Sequence, residues 1–204
     1  MINKPKIWFR NTGDSEPGWG HIHQELFQRR ILFLFGNMDA ESTNKIVASI
    51  MYFHQENPTL DQQLFINSPG GELSIGLGVY QVIQYAANVN TVGLGIAAGM
   101  GCLALVAGNK RIAYPHLFVK LRETSHSPFF NKHATDLLSE LTIMRKMSDM
   151  IVSAFSENTG QPTEIIREDM ENNTLMTAKE AYSYGIIDRI VGEGMRSDSF
   201  DEEI

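Results

Sequence analysis

The heptapeptide Phe65-Ile66-Asn67-Ser68-Pro69-Gly70-Gly71 decides how this chain folds. It begins inside a short apolar strand predicted at residues 63–67 and ends in the tight turn Ser68-Pro69-Gly70-Gly71. Two successive glycines after a proline permit positive φ angles and let another backbone approach closely. An exposed N–H group at such a turn can bond an oxyanion or pair with an extended peptide, although the glycines alone are more typical of a plain turn.

Short apolar runs and helical patterns alternate on both sides of this turn. Strands are predicted at residues 31–35, 63–67, 91–95, 110–114, 118–121 and 186–191. Helices are predicted from Asp39 to the Asn57-Pro58 stop, at 75–87, at about 97–107, at 133–157 and at 177–185. This alternation indicates right-handed β-α-β crossovers and an α/β domain with a largely parallel sheet.

The chain divides into three parts by composition. Residues 1–20 mix proline, glycine and charge, and we predict an irregular N-terminal arm there. Residues 21–192 form a single domain that includes the strongest helical pattern, 133–157. The acidic, polar residues 193–204 are predicted to be a loose tail.

Bulk properties exclude several classes of protein. The chain carries 17 basic and 24 acidic side chains, and its formal charge of −7 argues against a general nucleic-acid binder. No apolar run has the length of a membrane span, so no membrane insertion is expected. The single cysteine, Cys102, cannot form an internal disulfide and fits a reducing compartment. The scattered histidines show no metal-ligand spacing, so neither a metal nor a cofactor is expected.

Two further features lie at strand-to-helix junctions, where α/β folds place their chemistry. Gly95-Ile96-Ala97-Ala98-Gly99-Met100-Gly101 packs small residues at a predicted helix start. A serine at its tip would make a nucleophile elbow, but position 99 is glycine; close helix–strand packing explains these residues equally well. The strand end Phe118-Val119-Lys120-Leu121-Arg122 and the distant pair Asn172-Asn173 are, taken singly, a strand end and a polar turn.

Together these stretches resemble the Clp protease family of self-compartmentalised serine peptidases over residues 33–191. The residues that carry the resemblance are the heptapeptide 65–71, Gly76 with Tyr80, Ala97-Ala98-Gly99-Met100-Gly101, Ala107-Gly108, Lys110-Arg111, Tyr114-Pro115 and residues 177–188. Pro5-Lys6-Ile7, Phe9-Arg10 and residues 25–34 look most like the plastid-type proteolytic subunit. The resemblance implies a ClpP/crotonase-like β-α-β spiral, in which helix 133–157 is a protruding handle that interlocks two rings.

The departures from the family pattern concern its catalytic triad. By resemblance, Gly99 stands where the family has its nucleophilic serine, Arg122 where it has the general-base histidine, and Asn173 where it has the orienting aspartate. Asn172 and Asp169 lie close to that last position. The N–H groups of Gly71 and Met100 would form the oxyanion pair, and Gly70-Gly71 would lie beside a substrate strand.

The resemblance therefore implies a ClpR-like, non-catalytic subunit of an ATP-dependent Clp protease core. Its implied partners are other ClpP- and ClpR-type subunits in hetero-oligomeric heptameric rings that stack in pairs, an AAA+ Clp chaperone and unfolded polypeptide substrates. The implied location is the plastid stroma, with a prokaryotic cytoplasm as the alternative. The N-terminus shows no presequence, so either the protein works where it is made or a presequence has been removed.

Two other functions remain open from the sequence. The protein is an active serine-type endopeptidase if a displaced group such as Cys102, Ser125 or His126 supplies the chemistry. Alternatively, it handles acyl-CoA thioesters as crotonase-like enzymes do, although the Ser68-Pro69-Gly70-Gly71 context speaks against that.

Overall fold

The structure is a computed structural model that describes residues 6–9, 18–122 and 134–192. In those ranges the helices are α1 Ile22–Gln28, α2 Ala40–Glu56, α3 Leu73–Ala86, α4 Met100–Val106, α5 Ala134–Thr159, α6 Thr163–Glu171 and α7 Ala178–Tyr184. The strands are β1 Lys6–Phe9, β2 Gly18–His21, β3 Ile31–Phe35, β4 Gln62–Ser68, β5 Val89–Ala98, β6 Arg111–Ala113, β7 Phe118–Lys120, β8 Leu175–Thr177 and β9 Arg189–Ile190.

One sheet organises most of these elements. Its strands follow the order β3-β4-β5-β6-β9, and every neighbouring pair on that path is parallel. Strand β7 pairs with the far end of β5 in parallel and with β8 in antiparallel orientation. The predicted α/β class and its largely parallel sheet are confirmed. Strand β5 is long enough to pair with β6 along its first half and with β7 along its second half. The ends of β4, β5 and β7 therefore lie close together.

The core lies between this sheet and the helices. Strand β4 alternates, with Leu64 and Ile66 fully buried and Phe65 partly exposed. Helix α2 buries Ile46, Ile50 and Phe53, whose spacing places them on one face. Helix α4 is buried at all seven positions, so it forms the centre of the domain. It can be placed there because it is built from small and apolar residues only.

Side-chain hydrogen bonds stabilise the ends of several helices. Asp39 accepts the Ser42 N–H at the start of α2, at 2.7 Å. At the start of α7, Thr177 and Glu180 form the predicted capping box, and Gly185 ends the helix with φ +95°. The hydrogen bonds from Thr177 hold the pKa of the Glu180 carboxyl below its ordinary value.

The structure corrects several local predictions. The arm is not wholly irregular, because β1 and β2 form an antiparallel pair in which Trp8 stands opposite Trp19. The helix predicted from about residue 97 begins only at Met100. Ala97 and Ala98 belong instead to β5, which pairs there with Ser68 and with β7. The predicted last strand shrinks to Arg189–Ile190.

Besides β1 and β2, three short elements were not predicted. Helix α1 and strand β8 lack a strong pattern, since α1 has no buried residue and β8 has three residues. Helix α6 follows Gly160 and Pro162, which the sequence analysis used only as a stop for the preceding helix. The predicted helix 133–157 corresponds to α5, Ala134–Thr159. Residue 133 and the predicted tail 193–204 lie outside the described residues.

Candidate functional site

Gly99 forms the sharp turn between β5 and α4. Its backbone has φ +51° and ψ −116°, a conformation that is strained for any residue with a side chain. The turn is held on both sides, because the Gly99 N–H donates to Lys120 O at 3.0 Å and Gly99 O accepts the Leu103 N–H at 3.1 Å. The turn therefore has the form of a nucleophile elbow without a side chain at its tip.

Arg122 follows the end of β7 and faces Gly99. A β-carbon built on Gly99 would lie 3.3 Å from Arg122 Nε, closer than to any other atom outside the turn. Arg122 Nη2 donates to Pro69 O at 3.0 Å, while its buried Nε finds no acceptor. A guanidinium stays protonated in proteins, so Arg122 cannot remove a proton from a nucleophile.

Asn173 lies in the turn between α6 and β8, just before the part of β8 that pairs with β7. Lys120 pairs with Leu175, and the Leu121 N–H donates to Thr174 O at 3.0 Å. Asn173 itself has φ +54° and donates its N–H to Met170 O at 3.3 Å, so it belongs to the turn after α6 and does not continue the strand pairing. The Asn173 side chain is exposed and donates to Glu171 O at 3.3 Å, away from the arginine. The structure thus places Arg122 against Gly99 and leaves Asn173 in the turn before β8, with no side-chain hydrogen bond among the three residues.

Asp169, the nearest carboxylate to Asn173 in sequence, is engaged elsewhere. It accepts hydrogen bonds from Thr174 Oγ1 at 3.0 Å and from the Tyr184 hydroxyl at 2.7 Å. Burial, together with this hydrogen bond, raises the pKa of the Tyr184 hydroxyl above its ordinary value. Asp169 therefore fastens α6 to β8 and α7, and it does not face Arg122.

Gly70 and Gly71 are packed too closely for any larger residue. A β-carbon on Gly70, whose φ is +98°, would lie 2.7 Å from Ala98 O, and one on Gly71 would lie 2.1 Å from Met38 O. The Met38 N–H donates to Gly70 O at 3.0 Å, and the Gly70 N–H donates to Ser68 Oγ at 3.1 Å. We call residues 68–71 and 98–101 together the peptide frame.

The Gly71 backbone is directed away from Met38. Met38 and Gly71 form a parallel bridge, in which the hydrogen bonds to Met38 come from the residues that flank Gly71. The N–H and C=O of Gly71 itself consequently point to the opposite edge. Met100 is the first residue of α4, so its N–H has no partner within the helix. Both N–H groups that the resemblance indicated thus belong to the peptide frame.

Met38 and Pro69 contribute to this site, although the sequence analysis did not include them as site residues. Met38 lies 33 positions before Gly71, and Pro69 acts through its carbonyl oxygen, which any residue has. One signal could have indicated Met38. Gly36-Asn37 ends β3, and parallel neighbours such as β3 and β4 bring their carboxyl ends to the same edge.

Cys102, Ser125 and His126 were the sequence's candidates for displaced catalytic groups, and the structure describes only the first of them. Cys102 is fully buried, and burial raises the pKa of its thiol far above its ordinary value. A buried neutral thiol is not a nucleophile, so Cys102 packs as a small apolar side chain. Ser125 and His126 lie outside the described residues.

The described ranges, 6–9, 18–122 and 134–192, contain neither a candidate metal cluster nor a candidate membrane-spanning helix. Within them, no three His, Cys, Asp or Glu side chains are grouped so as to hold a metal ion. None of the helices there combines the length and the apolar character needed to cross a bilayer.

Comparison with known proteins identifies a family that this chain matches. A family model described as Clp protease matches residues 14–194. Similar proteins named ATP-dependent Clp protease proteolytic subunit occur in Solanum lycopersicum (36% identity over 196 residues, 95% of each chain) and in Phalaenopsis aphrodite subsp. formosana (36% over 195 residues, 94% of this chain and 95% of the relative). Another is from Staurastrum punctulatum (35% over 195 residues, 94% and 96%). These relatives come from plants and algae.

Proposed function

The chain belongs to the Clp protease family, and we propose that it serves there as a non-catalytic subunit of an ATP-dependent protease core. Membership confirms the Clp-type fold predicted from the sequence. The observation that carries the proposal is the Gly99 turn, which keeps an elbow-like backbone but has no side-chain atom to attack a peptide bond. Other, serine-bearing subunits of the same core would cut.

The chemistry is missing at two further positions. Arg122 cannot act as a base, and the Asn173 amide is exposed and turned towards Glu171. When a triad is removed, the oxyanion and binding contributions that remain accelerate the reaction by roughly a thousandfold to ten-thousandfold over water. Uncatalysed hydrolysis of an amide bond is so slow that the acceleration which remains does not amount to a protease activity.

Two apolar surfaces support a role in an assembly. On α5, Ile143 and Met150 lie seven residues apart on one helix face and are each about half exposed; on β3, Phe33 and Phe35 share a strand face and are exposed to a similar degree. Apolar side chains grouped in this way favour burial against other chains. We propose that the partners are ClpP- and ClpR-type subunits in hetero-oligomeric heptameric rings, an AAA+ Clp chaperone and unfolded polypeptides.

The proposal includes a place and a division of the chain. The plant and algal relatives favour the plastid stroma over a prokaryotic cytoplasm. We assign residues 1–20 to an arm that can contact a chaperone, 21–192 to the ring-forming domain with α5 as its handle, and 193–204 to a tail. No observation favours acyl-CoA chemistry over this assignment.

The decisive experiment isolates the native complex through a tag on this chain. Intact-mass measurement is expected to show the chain together with serine-bearing relatives in one particle. A fluorophosphonate probe is expected to label those relatives, which serve as the internal positive control, and not this chain. A solitary stable monomer, or a covalent adduct on this chain, would contradict the proposal.

A further inference from the structure

The C-terminal end of α5 borders a cavity that the proposed function does not use. Its volume is about 380 Å³, within the roughly 300–1,000 Å³ of typical small-molecule sites. The walls come from the last turns of α3, α4 and α5, from the start of β6 and from the residue before β9. Asn109 in the wall donates its N–H to Val89 O at the start of β5, whereas Gly99 follows the end of that strand. The cavity is therefore separate from the peptide frame.

Three helix ends meet at this cavity. Ala87 and Ala107 are the C-caps of α3 and α4, and Asn158 belongs to the last turn of α5. The last carbonyl groups of a helix have no partner within the helix, and the helix dipole places partial negative charge at that end. Three such ends together make the wall rich in hydrogen-bond acceptors and favourable to a positive charge.

The side-chain charges of the wall act in the same direction. Arg111 pairs with Asp188, and its guanidinium also donates to Asn158 O and Gly185 O, both at 2.8 Å. All three guanidinium nitrogens are thus occupied. Glu157 is exposed and forms no ion pair with any described residue. Its carboxylate leaves one negative charge that Arg111 does not compensate.

The other donors of the wall are engaged within the chain. Gln84 Nε2 donates to Ala107 O and to Asn158 Oδ1, both at 3.2 Å. Asn158 Nδ2 donates to the Tyr80 hydroxyl at 3.0 Å. Of the side-chain nitrogens in the wall, only that of Asn109 has no partner in the part of the chain that the structure describes. The cavity thus offers acceptors in excess of donors, which suits a ligand that donates hydrogen bonds.

The lining also includes apolar side chains. Ile83 and Ala107 are almost completely buried and pack where α3 meets α4. An aliphatic chain can pack against such side chains, whereas a metal ion gains nothing from them. In the described ranges no cluster of three metal-ligating side chains is present, at this cavity or elsewhere. The combination favours an organic cation with a short hydrocarbon chain.

We infer that this cavity is a binding site for a small aliphatic ammonium ion of the diamine class. Glu157 supplies the charge that pairs with an ammonium group, and the free carbonyl and amide oxygens accept its N–H groups. Because the walls belong to α3, α4 and α5, the ligand would join the end of α5 to the body of the domain. A ligand that binds only the folded chain stabilises it by mass action. The inference does not depend on whether the chain is catalytic.

The test compares two ligands of equal chain length on the purified full-length chain. Isothermal titration calorimetry at pH 7 and low ionic strength follows the binding of 1,5-diaminopentane and of the uncharged 1,5-pentanediol. The diamine is expected to bind at one site and at least about tenfold more tightly than the diol, since only the diamine carries charged donors. Its addition should also raise the midpoint of thermal unfolding. Equal binding of the two ligands, or no saturable binding of the diamine, would overturn the inference.

A matched pair of variants separates this site from general attraction to an acidic protein. Glu157→Gln removes a carboxylate from the cavity, and we expect the diamine to bind about threefold to fivefold more weakly. Glu168→Gln removes the same charge from an exposed position on α6 that does not line the cavity, and binding should be unchanged. Equal affinities of the two variants would contradict the assigned site.

A third variant fills the cavity with a tethered ammonium group. Gln84→Lys places an amine on exposed Gln84, whose side chain now bonds Ala107 O and Asn158 Oδ1. It is expected to abolish binding of the diamine, because the same acceptors are then occupied. Unchanged binding in the variant, folded as judged by circular dichroism, would place the ligand elsewhere. If Gln84→Lys does not fold, the comparison of Glu157→Gln with Glu168→Gln decides alone.

A competition arm asks whether the cavity merely collects positive charge. Magnesium ion carries the same charge as the diamine but has no hydrocarbon chain, and it prefers a set of oxygen ligands that this wall does not supply. Magnesium chloride at the concentration of the diamine is therefore expected to leave the diamine bound. Displacement at equal concentration would overturn the assignment to an ammonium ligand. None of these outcomes bears on the proposed function, which is tested by co-assembly and by fluorophosphonate labelling.

Discussion

The peptide frame differs from Arg122 and Asn173, which we propose stand at the family's other triad positions. In the frame, Gly70 and Gly71 keep contacts so close that no β-carbon fits, and the Gly99 turn keeps its backbone bonds. At the triad positions, Arg122 bonds a backbone oxygen and Asn173 bonds Glu171 O. On the assignment that we propose for Gly99, Arg122 and Asn173, the comparison teaches that close packing can preserve a backbone geometry whose side chains carry neither a nucleophile nor a base.

The difference has a physical origin. Most of the frame is buried at the ends of β4 and β5 and the start of α4, so changing it would disturb the core. Arg122 and Asn173, by contrast, project from a strand end and a turn, where Arg122 is partly exposed and Asn173 is exposed. We expect substitutions of Arg122 and Asn173 to disturb fewer packed atoms than substitutions in the frame.

The largest effect is expected from restoring all three side chains. The combined variant Gly99→Ser, Arg122→His and Asn173→Asp should react with a fluorophosphonate roughly a thousandfold faster than Gly99→Ser alone, because a base is added to a nucleophile on an existing frame. Labelling rates measured by mass spectrometry provide the comparison. Equal rates in the two variants would mean that the frame has lost its catalytic geometry as well.

A large loss of stability is expected when the frame is overpacked. Gly71→Ala would place a β-carbon 2.1 Å from Met38 O, and we expect the free energy of unfolding to fall by about 3 kcal/mol. Gly78→Ala is the matched control, because Gly78 lies inside helix α3 and a β-carbon there meets nothing within 4 Å. That control should be stabilised by about 0.5–1 kcal/mol. Denaturant unfolding of both variants would measure the contrast, and equal stability would contradict it.

The smallest expected effect is on stability, and it concerns an ion pair that lies away from the site. Arg111 pairs with Asp188 and also donates to Asn158 O and Gly185 O, both at 2.8 Å. Burial alone would raise the pKa of the Asp188 carboxyl, but hydrogen bonds from the Arg111 side chain and N–H outweigh it and hold the pKa below its ordinary value. The pair shows that charged side chains persist where they join β6 to the start of β9.

A depressed carboxyl pKa in the folded state stabilises the protein above the ordinary aspartate pKa of about 4, and this contribution is lost as the pH falls through the folded-state value. Asp188→Asn should therefore lower the free energy of unfolding at pH 7 by up to about 1 kcal/mol, a value limited by solvent screening of the half-exposed carboxylate. The difference from the unsubstituted protein should shrink in denaturant titrations at pH 3. The control Asp149→Asn, in the more exposed pair with Arg167, should cost less. A difference that grows towards low pH would refute this account.

Local patterns predicted much of the fold. The capping box at Thr177 and the stop at Gly185 involve residues within a few positions of each other, so sequence alone indicates them. The helix starting at Met100 was predicted too early, because small residues such as Ala97 and Ala98 suit a helix as well as a strand. Only pairing with Ser68 and with β7 makes them a strand.

For the site, the sequence determined which side chains are absent: position 99 has no hydroxyl and position 122 carries a permanent cation. The tertiary structure decided what stands in their place, namely an arginine whose Nε faces the empty tip of the turn and a Gly71 backbone that faces away from Met38. Which residue stands at a position can be read directly from the sequence. Which groups meet depends on strands that are distant in sequence and are joined only when the sheet forms.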